Sequence, residues 1–141
     1  MSLPPGLGDA QWEQLEFLGW RDAKAPLRGY LVSWRGERAV GVLVRAADSR
    51  MSRRTAAVCM LCRSGQSADN ISLFTTRRSG AAGRKGDTVG IYICADLGCC
   101  RNARIDKATA SFRPDPGRTV EERIAGLQSR LDTFLDAALT A

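Results

Sequence analysis

Histidine is absent from this 141-residue chain. Its absence removes the usual general base of serine and cysteine hydrolases and the usual ligand of an open catalytic zinc site. Long apolar runs are missing too. No stretch approaches the roughly 18 to 20 consecutive apolar residues that a membrane helix needs, and the opening MSLPPGLGDAQWEQ lacks a basic start followed by an apolar run. The expected setting is the cytoplasm, with no membrane partner. The chain also lacks internal repeats, a low-complexity linker and the G-x-x-x-x-G-K-[ST] phosphate loop, because no Ser or Thr follows Lys85 after Gly83 and Arg84. No small-molecule substrate is expected. The organisation is one domain over 1–141, in three blocks: 1–49, 51–113 and 119–139.

What is present is cysteine, five residues in all, with 44% hydrophobic composition around them. In a reducing compartment an odd number of cysteines with one close-spaced pair argues for metal binding over disulfides. Cys59-Met-Leu-Cys62 is a C-x2-C pair, whose short loop aims two sulfurs at one ion while nearby amides donate to them. A second pair, Cys94 and Cys99, follows after 31 intervening residues. Those residues read as a hairpin: Ile71–Thr75 and Thr88–Ile93 have strand composition, and the glycine-rich, basic stretch from Arg77 to Asp87 forms a long flexible tip. After Cys94 a short helix is expected, with Asp96 near its N-terminus.

A turn with two ligands, then a hairpin, a ligand at the strand end and another in the first helical turn is the layout of a treble-clef zinc finger. Four thiolates at about 2.3 Å close a tetrahedral site and leave no place for water, so one structural Zn²⁺ is the expected cofactor. Iron also suits such a donor set. Either Cys99 or Cys100 can be the fourth ligand, but a helical start sets their side chains about 100° apart, so only one binds; Cys99 is preferred.

The flanking blocks complete an α+β fold. Trp12, Leu15, Phe17, Leu18 and Trp20 suggest a short packed helix. Gly29–Trp34 and Ala39–Val44 read as strands of a hairpin about the turn 35–38. The tryptophans fit core and hairpin packing rather than base stacking. Thr119-Val-Glu-Glu122 is a capping box opening a long amphipathic helix. Val120, Ile124, Leu127, Leu131, Phe134, Leu135, Ala138 and Leu139 fall on its apolar face, and Glu121, Glu122, Arg123, Arg130, Asp132 and Asp136 on its wet side.

The charge of +6 is uneven: 13 basic and 5 acidic residues lie between Arg45 and Arg113, against 8 and 10 elsewhere. Such a basic middle suits an acidic protein surface or a nucleic acid backbone, or is a solvated face that aids solubility. Candidate contacts are Arg77, Arg78, Arg84, Lys85, Arg101 and Arg104. An enzyme is not expected. Asp87 and Asp96 have no spaced partner, and Cys100 has no histidine to activate it.

The run Cys59-Met-Leu-Cys62, Ser72-Leu-Phe-Thr75 and Gly83-Arg-Lys-Gly-Asp-Thr-Val-Gly-Ile-Tyr-Ile-Cys94-Ala-Asp-Leu-Gly-Cys99 resembles the C-terminal treble-clef zinc-finger domain of the elongation factor G-binding proteins, among them the fusidic acid resistance proteins. Phe17-Leu-Gly-Trp-Arg-Asp22 and Tyr30-Leu-Val32 are similar to the single-domain actinobacterial members, so the likeness runs to about Arg104. The resemblance implies a binding domain that grips elongation factor G, on or near the ribosome, and helps translation continue when the factor stalls; ribosomal RNA is a further partner it allows.

Overall fold

The computed structural model describes residues 15–48 and 55–139. Its first element differs from expectation. Leu18–Asp22 is a strand, β1, rather than part of a helix, and it pairs antiparallel with β2, Ala25–Arg35. Five residues are too few to sustain a helix alone, whereas cross-strand partners stabilise an aromatic-rich strand at once. Trp20 sits opposite Tyr30, their ring centres 5.2 Å apart, and the Tyr30 hydroxyl donates to buried Asp22. Trp12 lies outside the described residues.

The first hairpin forms as its composition predicts. β2 pairs with β3, Arg38–Ala46, over eight residue pairs from Arg28↔Arg45 to Arg35↔Arg38. The loop is Gly36-Glu37, and Gly36 takes φ +66° at its first position, where a two-residue hairpin turn of the II′ kind favours glycine. Along β3 the alternation is strict, with Val42, Val44 and Ala46 buried and Leu43 and Arg45 exposed.

The second hairpin pairs β6, Ile71–Arg77, with β7, Thr88–Cys94, in register from Ile71↔Cys94 to Arg77↔Thr88. Its tip is not a plain loop: Gly80–Arg84 forms a short helix, α1. A Cβ on Gly83 would stand 1.5 Å from the Arg78 carbonyl oxygen, so this glycine serves a close backbone approach.

The cysteine loop Cys59–Cys62 turns a second, smaller sheet of β4, Ala56–Val58, β5, Gly65–Ser67, and β8, Phe112–Arg113, whose two- and three-residue strands left no clear periodic signal. The larger sheet runs β1-β2-β3-β6-β7. Its two hairpins join by a short ladder, Arg45↔Thr75 and Ala46↔Phe74, extended by the Ala47 amide donating to the Leu73 carbonyl and bridged on the other side by the Thr76 hydroxyl donating to the Leu43 carbonyl.

Two helices close the fold. α2, Cys99–Ala103, follows β7, and α3 is Val120–Leu139. The capping box forms reciprocally: the Thr119 amide donates to Glu122 Oε1 at 2.9 Å and the Glu122 amide to Thr119 Oγ1 at 3.1 Å. Leu127, Leu131, Phe134 and Leu135 join Leu31, Val44, Phe74, Ile93 and the cysteines in one core cluster. Arg123, expected on the wet side, is instead 3% exposed. Its guanidinium donates to the carbonyls of Ala103 and Arg118 and to Asp106. Helical periodicity assigns faces, but here the carbonyls ending α2 occupy that face and require a donor.

Candidate metal centre

Cys59 and Cys62 open and close the loop between β4 and β5, Cys94 ends β7, and Cys99 begins α2. The Cys59, Cys94 and Cys99 sulfurs all lie within 4.8 Å of one another, each residue fully buried. Cys59 Sγ is 3.7 Å from Cys99 Sγ, and Cys62 Sγ is 3.7 Å from Cys94 Sγ. Thiolates at 2.3 Å from a central zinc would stand about 3.8 Å apart along a tetrahedron's edges. Cys100 points elsewhere: its thiol donates to the Phe17 carbonyl at 3.4 Å, and burial pushes its pKa up to about 11. The two adjacent cysteines thus face different surroundings, as a helical start requires.

The surroundings fit a cation held by thiolates. Cys59 accepts from the amides of Leu61 and Cys62. Cys94 accepts from Gln66 Nε2 at 3.4 Å and Asn102 Nδ2 at 3.3 Å, and Ser64 Oγ lies 3.0 Å from Cys62 Sγ. Such outer donors orient thiolates and spread their charge. The thiols alone cannot all ionise. Hydrogen bonds from Cys62, Cys94 and Cys99 hold the Cys59 thiol far below its ordinary range, while giving those bonds pushes Cys94 and Cys99 well above theirs. A divalent cation reverses that logic, deprotonating every thiol it binds.

Both cysteine loops store strain. Arg63 (φ 61°) and Leu97 (φ 60°) are the non-glycine residues with positive φ among those described, one in each loop. A left-handed conformation costs a side chain about 1 to 2 kcal/mol, so the surroundings must hold it. Leu97 is 3% exposed, and its side chain packs where Cβ atoms on Gly19 and Gly29 would stand. In the other loop the Arg63 amide donates to the Cys59 carbonyl and the Cys59 amide to the Ser64 carbonyl. The loop before α2 is further tied by Asp96, which accepts from the Gly98 amide and from Arg101, both at 2.8 Å. Partial burial works to raise the Asp96 carboxyl, but those two donors outweigh it and hold its pKa below the usual value.

α3 straps the site from outside. Arg130 donates twice to the Leu61 carbonyl, at 2.9 and 2.7 Å, and lies over Gly126, where a Cβ would come within 2.9 Å of its guanidinium. Arg123 holds the far end of α2 in the same way. Neither arginine was identifiable from spacing, nor were Ser64, Gln66 and Asn102; the one local cue is Asn102, one helical turn after Cys99.

The six basic residues expected to meet a partner fall into two groups. Arg77, Arg78, Arg84 and Lys85 sit on the hairpin tip, whose Ser79 amide donates to the Ala138 carbonyl near the end of α3. Arg101 and Arg104 lie on and just after α2, beside Arg123 near the start of α3. Fifteen helical residues separate those anchors, about 22 Å, so no single patch unites the groups. Arg104 is engaged already, gripping Glu16 through both guanidinium nitrogens at 2.9 Å.

A cysteine loop, a hairpin and a helix bringing buried sulfurs together in this order make a treble-clef zinc finger. The chain belongs to the FBP C-terminal treble-clef zinc-finger family, whose match spans residues 1–138, well past the Arg104 limit expected from sequence. Neither a curated protein nor a solved structure matches it. One structural zinc ion fits both the family and the buried cysteine cluster. Among the described residues no helix is long and apolar enough to cross a membrane.

Proposed function

We propose that this chain is a zinc-stabilised, non-enzymatic binding protein that engages elongation factor G or the ribosome to modulate or rescue translation. Cys59, Cys62, Cys94 and Cys99 would hold the ion, which supplies a cross-link between the β4–β5 loop and α2 and no reactive position. The carrying observation is the family match over residues 1–138, in a family whose name implies binding of elongation factor G. Two features support a binding role. Four basic residues project from the hairpin tip, and Val58, Met60 and Tyr92 are large apolar side chains left 40 to 48% exposed around the first cysteine loop. Backbone pairing places that loop against β7, with the Met60 amide donating to the Tyr92 carbonyl.

The test is affinity capture from a native lysate in moderate salt, with zinc-loaded protein and with protein stripped by a chelator. Retention of elongation factor G or ribosomes by the zinc-loaded form, lost on stripping, is the expected result. Recovery of neither would overturn the reading, and retention of arbitrary nucleic acid alone would replace it with a general nucleic-acid-binding finger.

A further inference from the structure

The outer face of the five-stranded sheet carries an arrangement that the metal centre does not explain. Register and alternation place Arg28 of β2, Arg45 of β3, and Thr75 and Arg77 of β6 on that face, with Gly90 and Tyr92 of β7 beside them. Because the β3–β6 ladder stops at Arg45↔Thr75, the strands splay beyond that point, where the Thr76 hydroxyl donating to the Leu43 carbonyl replaces backbone pairing. A cleft of about 620 Å³ opens there, with Arg28, Arg45, Thr75 and Arg77 on its rim and an apolar floor that includes Val42, Leu43 and Val44 and, from the end of α3, Leu139.

Arg28 and Arg45 stand directly opposite one another across β2 and β3, where like charges destabilise a sheet. Among the described residues no carboxylate pairs with Arg45 or Arg77. Arg28 shares the Tyr30 hydroxyl with Asp22, but the guanidinium groups of Arg45 and Arg77 have no such counter-charge, and a polyanion lying along the cleft supplies it. Guanidinium forks match phosphate oxygens in pairs. Tyr92, 48% exposed, lies two positions along β7 from Gly90 on the same face; it offers a base a stacking surface, which a run of carboxylates would leave unused.

We propose that this cleft binds the phosphate backbone of single-stranded RNA, with Arg28, Arg45 and Arg77 gripping phosphates and Tyr92, outside the cleft on the same sheet face, stacking a base of the strand as it leaves. The arginines of the site stand apart from the cysteine cluster, while Tyr92 borders the Cys59–Cys62 loop through the Met60 amide; the site does not depend on elongation factor G being the partner.

The experiment is fluorescence anisotropy of a short labelled oligouridylate with zinc-loaded protein across a salt series. The Arg45→Gln/Arg77→Gln double variant should bind about tenfold more weakly or worse, and its salt slope should flatten by about 1.4, from 0.7 per phosphate contact on a single strand. Tyr92→Ala should weaken binding with the salt slope unchanged. The melting temperature of the unbound double variant should equal or exceed that of the unaltered protein, which separates loss of a ligand contact from loss of structure. Lys107→Gln/Arg113→Gln removes the same charge elsewhere and should weaken binding far less. Absence of binding at physiological salt, or equal loss in the two double variants, would overturn the proposal. So would competition by polyglutamate as effective as that by unlabelled RNA, which would assign the cleft to an acidic protein segment.

Discussion

The two ends of α3 treat arginine in opposite ways. Near its start, by the cysteines, three arginines are spent on internal acceptors: Arg123 takes the last carbonyl of α2, Arg130 the Leu61 carbonyl and Arg104 the carboxylate of Glu16. Near its end Arg35 pairs with Asp136 of α3 itself, but by the hairpin tip Arg28 and Arg45 face each other and Arg77 stands exposed with no carboxylate partner among the described residues. The first end spends its donors on holding a strained metal site together. The second leaves them for something outside the fold, and one helix carries the core between the two.

Removing the metal should break this comparison most visibly. Zinc-finger peptides gain an apparent 10 to 16 kcal/mol from their ion, about the whole stability of a small domain. Chelation, or Cys94→Ser, should therefore melt the cysteine loops, α2 and the first turns of α3, whereas the eight-pair β2–β3 hairpin, which contributes no cysteine, should keep more of its protection. Amide hydrogen exchange with and without chelator reads this directly; uniform protection in both states would mean that the cysteines are merely core. Next in size is Arg123→Ala, which strands the buried Ala103 carbonyl and leaves the half-buried Arg118 carbonyl and Asp106 without their donor. Leaving such groups unpaired costs about 3 kcal/mol, to be seen as a lower urea midpoint at an unchanged m-value.

How much of this was legible beforehand follows from the range of each signal. Both hairpins, the capping box at Thr119 and the convergence of Cys59, Cys94 and Cys99 were legible because each is written in spacing or alternation over a few residues. The β1 strand was not, since Tyr30, the partner of Trp20, is supplied by β2 and only pairing decides between strand and helix for so short a stretch. Helical periodicity puts Arg123 on the wet face because it carries no knowledge of α2 ending beside it. The helix at the hairpin tip escaped for a related reason: Gly83 is required by the carbonyl of Arg78, and a glycine kept for space looks in sequence like one kept for flexibility. The narrow β3–β6 joint, which opens the basic cleft, is a long-range pairing with no local mark at all.

The smallest effect is the most discriminating, because it sets one chemical change at both ends. Arg104→Gln removes a guanidinium that donates to Glu16 and to the Cys100 carbonyl, with Glu16 only 9% exposed; the loss should be about 1.5 kcal/mol, at the low end for hydrogen bonds to charged groups. Arg45→Gln removes a guanidinium whose opposite neighbour is another arginine, and should stabilise the unbound protein by about 0.5 kcal/mol. Thermal melts of the zinc-loaded variants should thus move in opposite directions, and added salt, by screening exposed charge, should shrink the gain at Arg45 more than the loss at Arg104. Two downward shifts of similar size would mean that Arg45 is as much a part of the scaffold as Arg104, and the division between a holding end and a presenting end would fail.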